Sequence, residues 1–166
     1  MHADRHSMAC WTGRVDPEPD SSRWHQRIRA LSEDSQPGLA LLGFACDEGV
    51  RRNHGRVGAA GGPQALRKAL ANLAWHRQAP AYDAGDVACE DGDLEGAQAR
   101  LGRNVCALLD AGHLPIVLGG GHGLLAIPVA EHFLDNLDAG ALGEHLAHAF
   151  GAQAGLVGAG EAANQG

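Results

Sequence analysis

The residues best placed for chemistry sit where an apolar run stops. Leu114-Pro115-Ile116-Val117-Leu118 is followed by Gly119-Gly120-Gly121 and then by His122. A run of this length between turn signals reads as a buried strand, and in open α/β sheets functional groups collect at the carboxyl ends of strands. Glycines let the backbone turn with positive φ and let neighbours approach closely, which puts His122 at the rim of a crevice. An imidazole there points to a metal ligand or a general base. A competing reading, dinucleotide binding at Gly119-x-Gly121-x-Gly123 with Asp138 on a ribose, has glycine spacing one residue short, and His122 would crowd the pyrophosphate.

A second group lies in the polar stretch over residues 45–62, which holds Asp47, Glu48, Arg51, Arg52, Asn53, His54 and Arg56 among several glycines. It is too long and too charged for a simple connector, and long loops in compact domains are often functional. Guanidinium groups pair with carboxylates bidentately, so Arg51, Arg52, Asn53 and Arg56 are candidates for gripping an anionic substrate. The alternative is a surface turn salt-bridged through Asp47 and Glu48, and both readings stand. Asp91 and Asp93 make a conceivable metal pair, but a carboxylate is also the favoured residue at a helix N-cap and first turn, and capping is the better reading. His2, His6 and Cys10 recur at helical spacing, yet a fraying terminus makes a poor zinc site.

The elements that must position these groups follow from periodicity. Residues 39–44 form a short apolar run after Pro37-Gly38 and predict a first strand. Pro63 opens a helix over residues 64–75 whose apolar stripe is Ala65, Leu66, Ala69, Leu70 and Leu73. Residues 82–87 predict a second strand, and residues 94–111 a helix with Leu101, Val105, Leu108 and Leu109 on one side, closed by Gly112. The strand at 114–118 and a helix over 124–137, interrupted early by Pro128, complete the pattern; an Ala-rich helix near 142–150 leads into a glycine-rich, flexible end. The order β-loop-α-β-α-β-α predicts an α/β fold, three-layer α/β/α with a parallel sheet and right-handed crossovers. Three strands make a thin sheet, so the chain reads as the front part of a larger domain. The expected organisation is an N-terminal extension over 1–37, a partial α/β domain over 38–137 and an Ala/Gly-rich tail over 138–166.

Composition narrows the classes. With 166 residues and a net charge of −7, the chain offers no dominant attraction to nucleic acid or to an anionic membrane. Its four cysteines form no C-x-x-C pair and read as reduced thiols. No signal-type leader opens the sequence and no apolar run approaches a membrane span, so a soluble cytoplasmic protein is expected.

The motifs, taken in order, resemble the arginase/agmatinase, or ureohydrolase, family, in its formimidoylglutamase branch. The resemblance is carried by Trp11-Thr12-Gly13-Arg14-Val15-Asp16-Pro17, Arg23-Trp24-His25-Gln26, Gly43-Phe44 with Asp47-Glu48-Gly49-Val50-Arg51-Arg52-Asn53, and Gly55-Arg56-Val57-Gly58-Ala59-Ala60. Gly62-Pro63, Ala65-Leu66-Arg67, Asp83-Ala84-Gly85-Asp86-Val87 and Val117 to His122 continue it, so it spans residues 11–122. It implies an arginase-like fold, two Mn²⁺ ions per active site bridged by hydroxide, and attack on the amidine carbon of N-formimino-L-glutamate, giving L-glutamate and formamide in histidine breakdown. It also implies a small-molecule substrate and a homo-oligomer. Residue by residue, only His122 matches a family metal ligand. The chain departs from the family pattern at Gly123, where glutamate is expected, and has no Asp-x-His-x-Asp or Asp-x-Asp segment after His122. A truncated or frame-shifted reading would look like this, and the alternative function is a catalytically inactive remnant or interaction module.

Overall fold

A computed structural model describes residues 8–18 and 21–119. The strands are β1 (Arg29–Ala30), β2 (Leu39–Ala45), β3 (Ala81–Ala88) and β4 (Leu114–Leu118). They form one sheet in the order β1-β3-β2-β4 with every pairing parallel. The helices are α1 (Trp24–Arg27), α2 (Glu48–Arg52), α3 (Gly62–Ala71) and α4 (Leu94–Asp110), with a 3-10 turn at Ala59–Gly61. The expected helix over 124–137 and the glycine-rich end lie outside the described residues.

The chain steps from β2 outward to β3 through α3, then returns past β2 to β4 through α4. Right-handed crossovers that run in opposite directions place their helices on opposite faces. Strand alternation shows the two faces directly. Ala40, Leu42, Phe44 and Ala84 pack with Ala97, Leu101, Val105 and Leu108 of α4, whereas Leu39, Leu41 and Ala81 pack with Ala71 of α3. The sheet is therefore covered on both sides, as a parallel sheet requires.

Two expectations are corrected. The sheet has four strands among the described residues, because Arg29 and Ala30 pair with Tyr82 and Asp83 of β3. The stripe expected on the helix after Pro63 is also displaced. That helix ends at Ala71 and buries Pro63, Arg67 and Ala71, while Leu66 and Leu73 are 43% and 53% exposed and Ala65 and Ala69 face solvent. The physical cause is Arg67, whose pairing with two aspartates of β3 turns that side inward.

The segment before β2 joins the α3 face. Cys10, Trp11 and Ile28 are buried there, and Trp24 stacks on Trp11 (ring centroids 6.5 Å apart) and meets Trp75 edge to face (5.0 Å). Backbone bonds from Trp24 N to the Leu73 carbonyl and from Trp75 N to the Ser22 carbonyl fasten it to the end of α3. On the other face Asp93 caps α4, its Oδ1 accepting from the Gly96 amide at 2.9 Å. That satisfies one of the unpaired amides at a helix start and accounts for Asp93 without a metal.

Candidate functional site

The carboxyl ends of β2, β3 and β4 open on one side of the sheet, and the loops after β2 and β3 leave toward opposite faces. Such a divergence creates a crevice between the strand ends. The loop after β2 is pinned at its root. Asp47 Oδ1 accepts from the amides of Gly58 and Ala60, both at 2.9 Å, which folds residues 48–60 back on their own stem. The Ala60 and then the Gly58 amide hold this carboxyl below its ordinary range.

Within that loop the four candidate substrate residues divide into two pairs. Arg51 contacts Glu48, and Arg52 donates through Nε to Glu48 Oε1 at 3.1 Å. The Arg52 guanidinium also meets both oxygens of Glu95 at the start of α4, and its NH2 lies 3.4 Å from the Gly92 carbonyl. Arg52 therefore ties the β2 loop to the root of α4 across the mouth of the crevice. Glu95 first and Glu48 second raise its pKa, and Arg52 in turn pulls the Glu95 carboxyl down to about 2. Asn53 and Arg56 are exposed, and their side chains have no partner among the described residues. The salt-bridged turn and the free cation thus coexist in one loop.

Beneath the crevice lies a buried polar cluster. Asp83 and Arg67 are both fully buried. Asp83 Oδ2 accepts from Trp11 Nε1 (2.6 Å) and Arg67 Nε (2.8 Å), and its Oδ1 from Arg67 NH2 and the Gly85 amide (2.9 Å each). Arg67 also donates to Asp86 Oδ1 (2.6 Å) and the Gly85 carbonyl (2.9 Å). Fork-to-fork pairing, with four of the five guanidinium N–H donors bonded, makes a buried charge pair tolerable. Asp86, one-third exposed, brings this network to the crevice. It lies so close over Gly43 that a β-carbon there would overlap its carboxylate, so the strand pairing at this point needs glycine.

The glycine run toward His122 begins on this floor. Gly119 has φ 83°, and a β-carbon on it would stand 2.5 Å from Pro63 Cδ. The exit of β4 therefore rests on the first turn of α3, next to the end of the β2 loop. His122 lies outside the described residues, as do Gly121, Gly123 and Asp138. Among the described residues no three His, Cys, Asp or Glu side chains gather to hold a metal, so these residues do not by themselves fit a two-ion centre.

Sequence reasoning passed over Arg67, Trp11 and Glu95. The available signal was Asp83 and Asp86 in a strand otherwise built of small and apolar residues, since buried carboxylates need a cation nearby.

A doubly wound parallel sheet with polar loops converging at its carboxyl edge is the architecture of α/β ligand-binding domains. Within that class this chain belongs to the arginase family, whose family model matches residues 37–143. It is 65% identical over 117 residues to a formimidoylglutamase of Chromobacterium violaceum, covering 69% of this chain and 38% of that one. It is 60% identical over 119 residues to a formimidoylglutamase of Aeromonas salmonicida, with the same coverage of 69% and 38%. The crystal structure of a variant of Trypanosoma cruzi formiminoglutamase with Mn²⁺ superposes with a TM-score of 0.53 at 34% identity, over 63% of this chain and 38% of that one. The chain thus spans 38% of the length of these relatives.

Proposed function

We propose that this chain serves a hydrolase of linear amidines that converts N-formimino-L-glutamate and water to L-glutamate and formamide. The reading is carried by the 65% identity to the Chromobacterium formimidoylglutamase over 117 residues. It is supported by a cationic loop held rigidly at the strand ends. In this reading the loop grips the substrate's two carboxylates. Asn53 and Arg56 offer free donors, and Arg51 and Arg52 hold the loop in place through Glu48 and Glu95. Histidine breakdown in the cytoplasm is the corresponding setting. Mn²⁺ is the proposed cofactor, with His122 as the one donor this chain's motif supplies.

A second reading rests on a separate observation. Gly123 stands where the resemblance expects glutamate, and residues 123–166 contain no Asp-x-His-x-Asp segment. In this second reading the chain is a catalytically inactive remnant or an interaction module. Bound Mn²⁺ per chain after dialysis, followed by formamide release from N-formimino-L-glutamate on the same sample, separates the two. Stoichiometric metal with turnover supports the hydrolase, and Arg56→Ala is then expected to raise KM with kcat nearly unchanged. Absence of both metal and turnover overturns the hydrolase reading for this chain and favours the remnant or interaction module.

A further inference from the structure

We propose that Cys46 and Cys89 form a paired dithiol that closes to an intramolecular disulfide, stapling the root of the β2 loop to the root of α4. The two residues follow Ala45 and Ala88, which are register partners in the parallel pairing of β2 with β3. The Cys89 amide donates to the Ala45 carbonyl at 3.2 Å, so the strands are still together at this level. Neighbouring strands run about 4.8 Å apart, inside the Cα separations of roughly 4.4–6.8 Å that a disulfide spans. Both side chains point to the same face: Cys46 belongs to the apolar cluster under α4, and Cys89 packs against that cluster.

None of the four cysteines is disulfide-bonded in this structure, and the other two do not share this geometry. Cys10 belongs to the cluster on the opposite face, and Cys106 lies in the fourth turn of α4. Access sets the order of events: Cys89 is half-buried and Cys46 is 3% exposed. A low-molecular-weight disulfide such as oxidised glutathione is the oxidant. The Cys89 thiol loses its proton to water and attacks one glutathione sulfur, giving a mixed disulfide and one glutathione thiolate. Cys46, deprotonated in turn, attacks the Cys89 sulfur and expels the second glutathione thiolate. Two protein thiols are oxidised and one small disulfide is reduced to two thiols, which balances.

Burial first, then the neighbouring Cys46 thiol, with the Glu48 and Asp93 carboxylates adding to both, push the Cys89 thiol up to about 11. Exchange is therefore slow at neutrality and quickens in alkali, where the thiolate forms. The bond would join the residue before Asp47, which pins the β2 loop, to the turn that leads into Asp93, which caps α4.

The test is oxidation of the whole chain with oxidised glutathione at mildly alkaline pH, alkylation of remaining thiols, and peptide mapping by mass spectrometry. Expected is one cross-linked peptide pair containing Cys46 and Cys89, short of two hydrogens and restored by reductant, with Cys10 and Cys106 alkylated. Cys46→Ser should then stop at a stable glutathione adduct on Cys89, and Cys89→Ser should leave Cys46 unmodified. A persistent glutathione adduct on Cys89 in the unsubstituted chain would overturn the proposal, because it would show that Cys46 cannot reach it. So would oxidation that leaves both residues open to alkylation.

Discussion

Arg67 and Asp83 set the energetic stakes at the level of single residues. Both are wholly buried, and each satisfies the other through two hydrogen bonds. Removing one partner of a buried pair strands the other charge and costs about 3–5 kcal/mol, far more than the pair contributes net. Arg67→Met is therefore expected to lower the free energy of unfolding in urea by that amount. Trp11→Phe removes one donor to Asp83 Oδ2 while Arg67 still holds it, and a lost hydrogen bond to a charged group costs about 1.5–3 kcal/mol. Because both act on Asp83, the double variant should lose less than the sum of the two. Equal losses from both single variants, or strict additivity, would show that the network does not act as a unit. Neither Arg67 nor Trp11 stands out in an apolar pattern. Their roles depend on a carboxylate that is 16 residues from one and 72 from the other along the chain.

Elements were legible where an apolar run or a regular helical face decided them. β2, β3 and β4 follow short runs of small and apolar residues, and α4 buries Leu101, Val105 and Leu108 as its spacing predicts. β1 was not legible, since two exposed residues carry no pattern and their pairing comes from β3. The face of α3 was misread because periodicity counts apolar side chains and cannot see that an arginine is the buried one. A direct consequence is that Leu66→Gln, on the solvent side, should change stability by no more than about 0.5 kcal/mol. Ala71→Leu, at a fully buried position, should cost about 1–3 kcal/mol through overpacking. The reverse ranking in denaturant titrations would restore the expected stripe. The link between α2 and α4 has its own signature in pH. Arg52 lowers the Glu95 pKa from 4.5 to about 2. The folded-state value lies below the unfolded one, so the stabilisation is present above about pH 4.5 and is lost as pH falls toward 2. Comparing unfolding of the native chain with Glu95→Gln at pH 6 and pH 3, the gap between them should narrow at the lower pH, and should shrink with added salt because the pair is exposed.

At the scale of the whole molecule the sheet has an asymmetry that bears on association. Among the described residues β4 is paired on one side only, with β2. The Leu114 amide donates to the Gly38 carbonyl at 2.9 Å, and amides along a strand alternate sides, so the positions of Pro115 and Val117 face away from β2. Proline has no N–H, which leaves that edge of β4 with Val117 as its donor and makes it a poorer template for another strand. Ile116 is 43% exposed on the same strand and adds apolar surface. These two residues pull in opposite directions: the proline blunts the edge and the isoleucine makes it adhesive. Pro115→Ala restores a donor and is expected to increase concentration-dependent association, whereas Ile116→Lys should decrease it, both read by sedimentation velocity across a dilution series. If neither substitution moves the distribution, the edge of β4 is already covered in the folded chain and association, where it occurs, uses another surface.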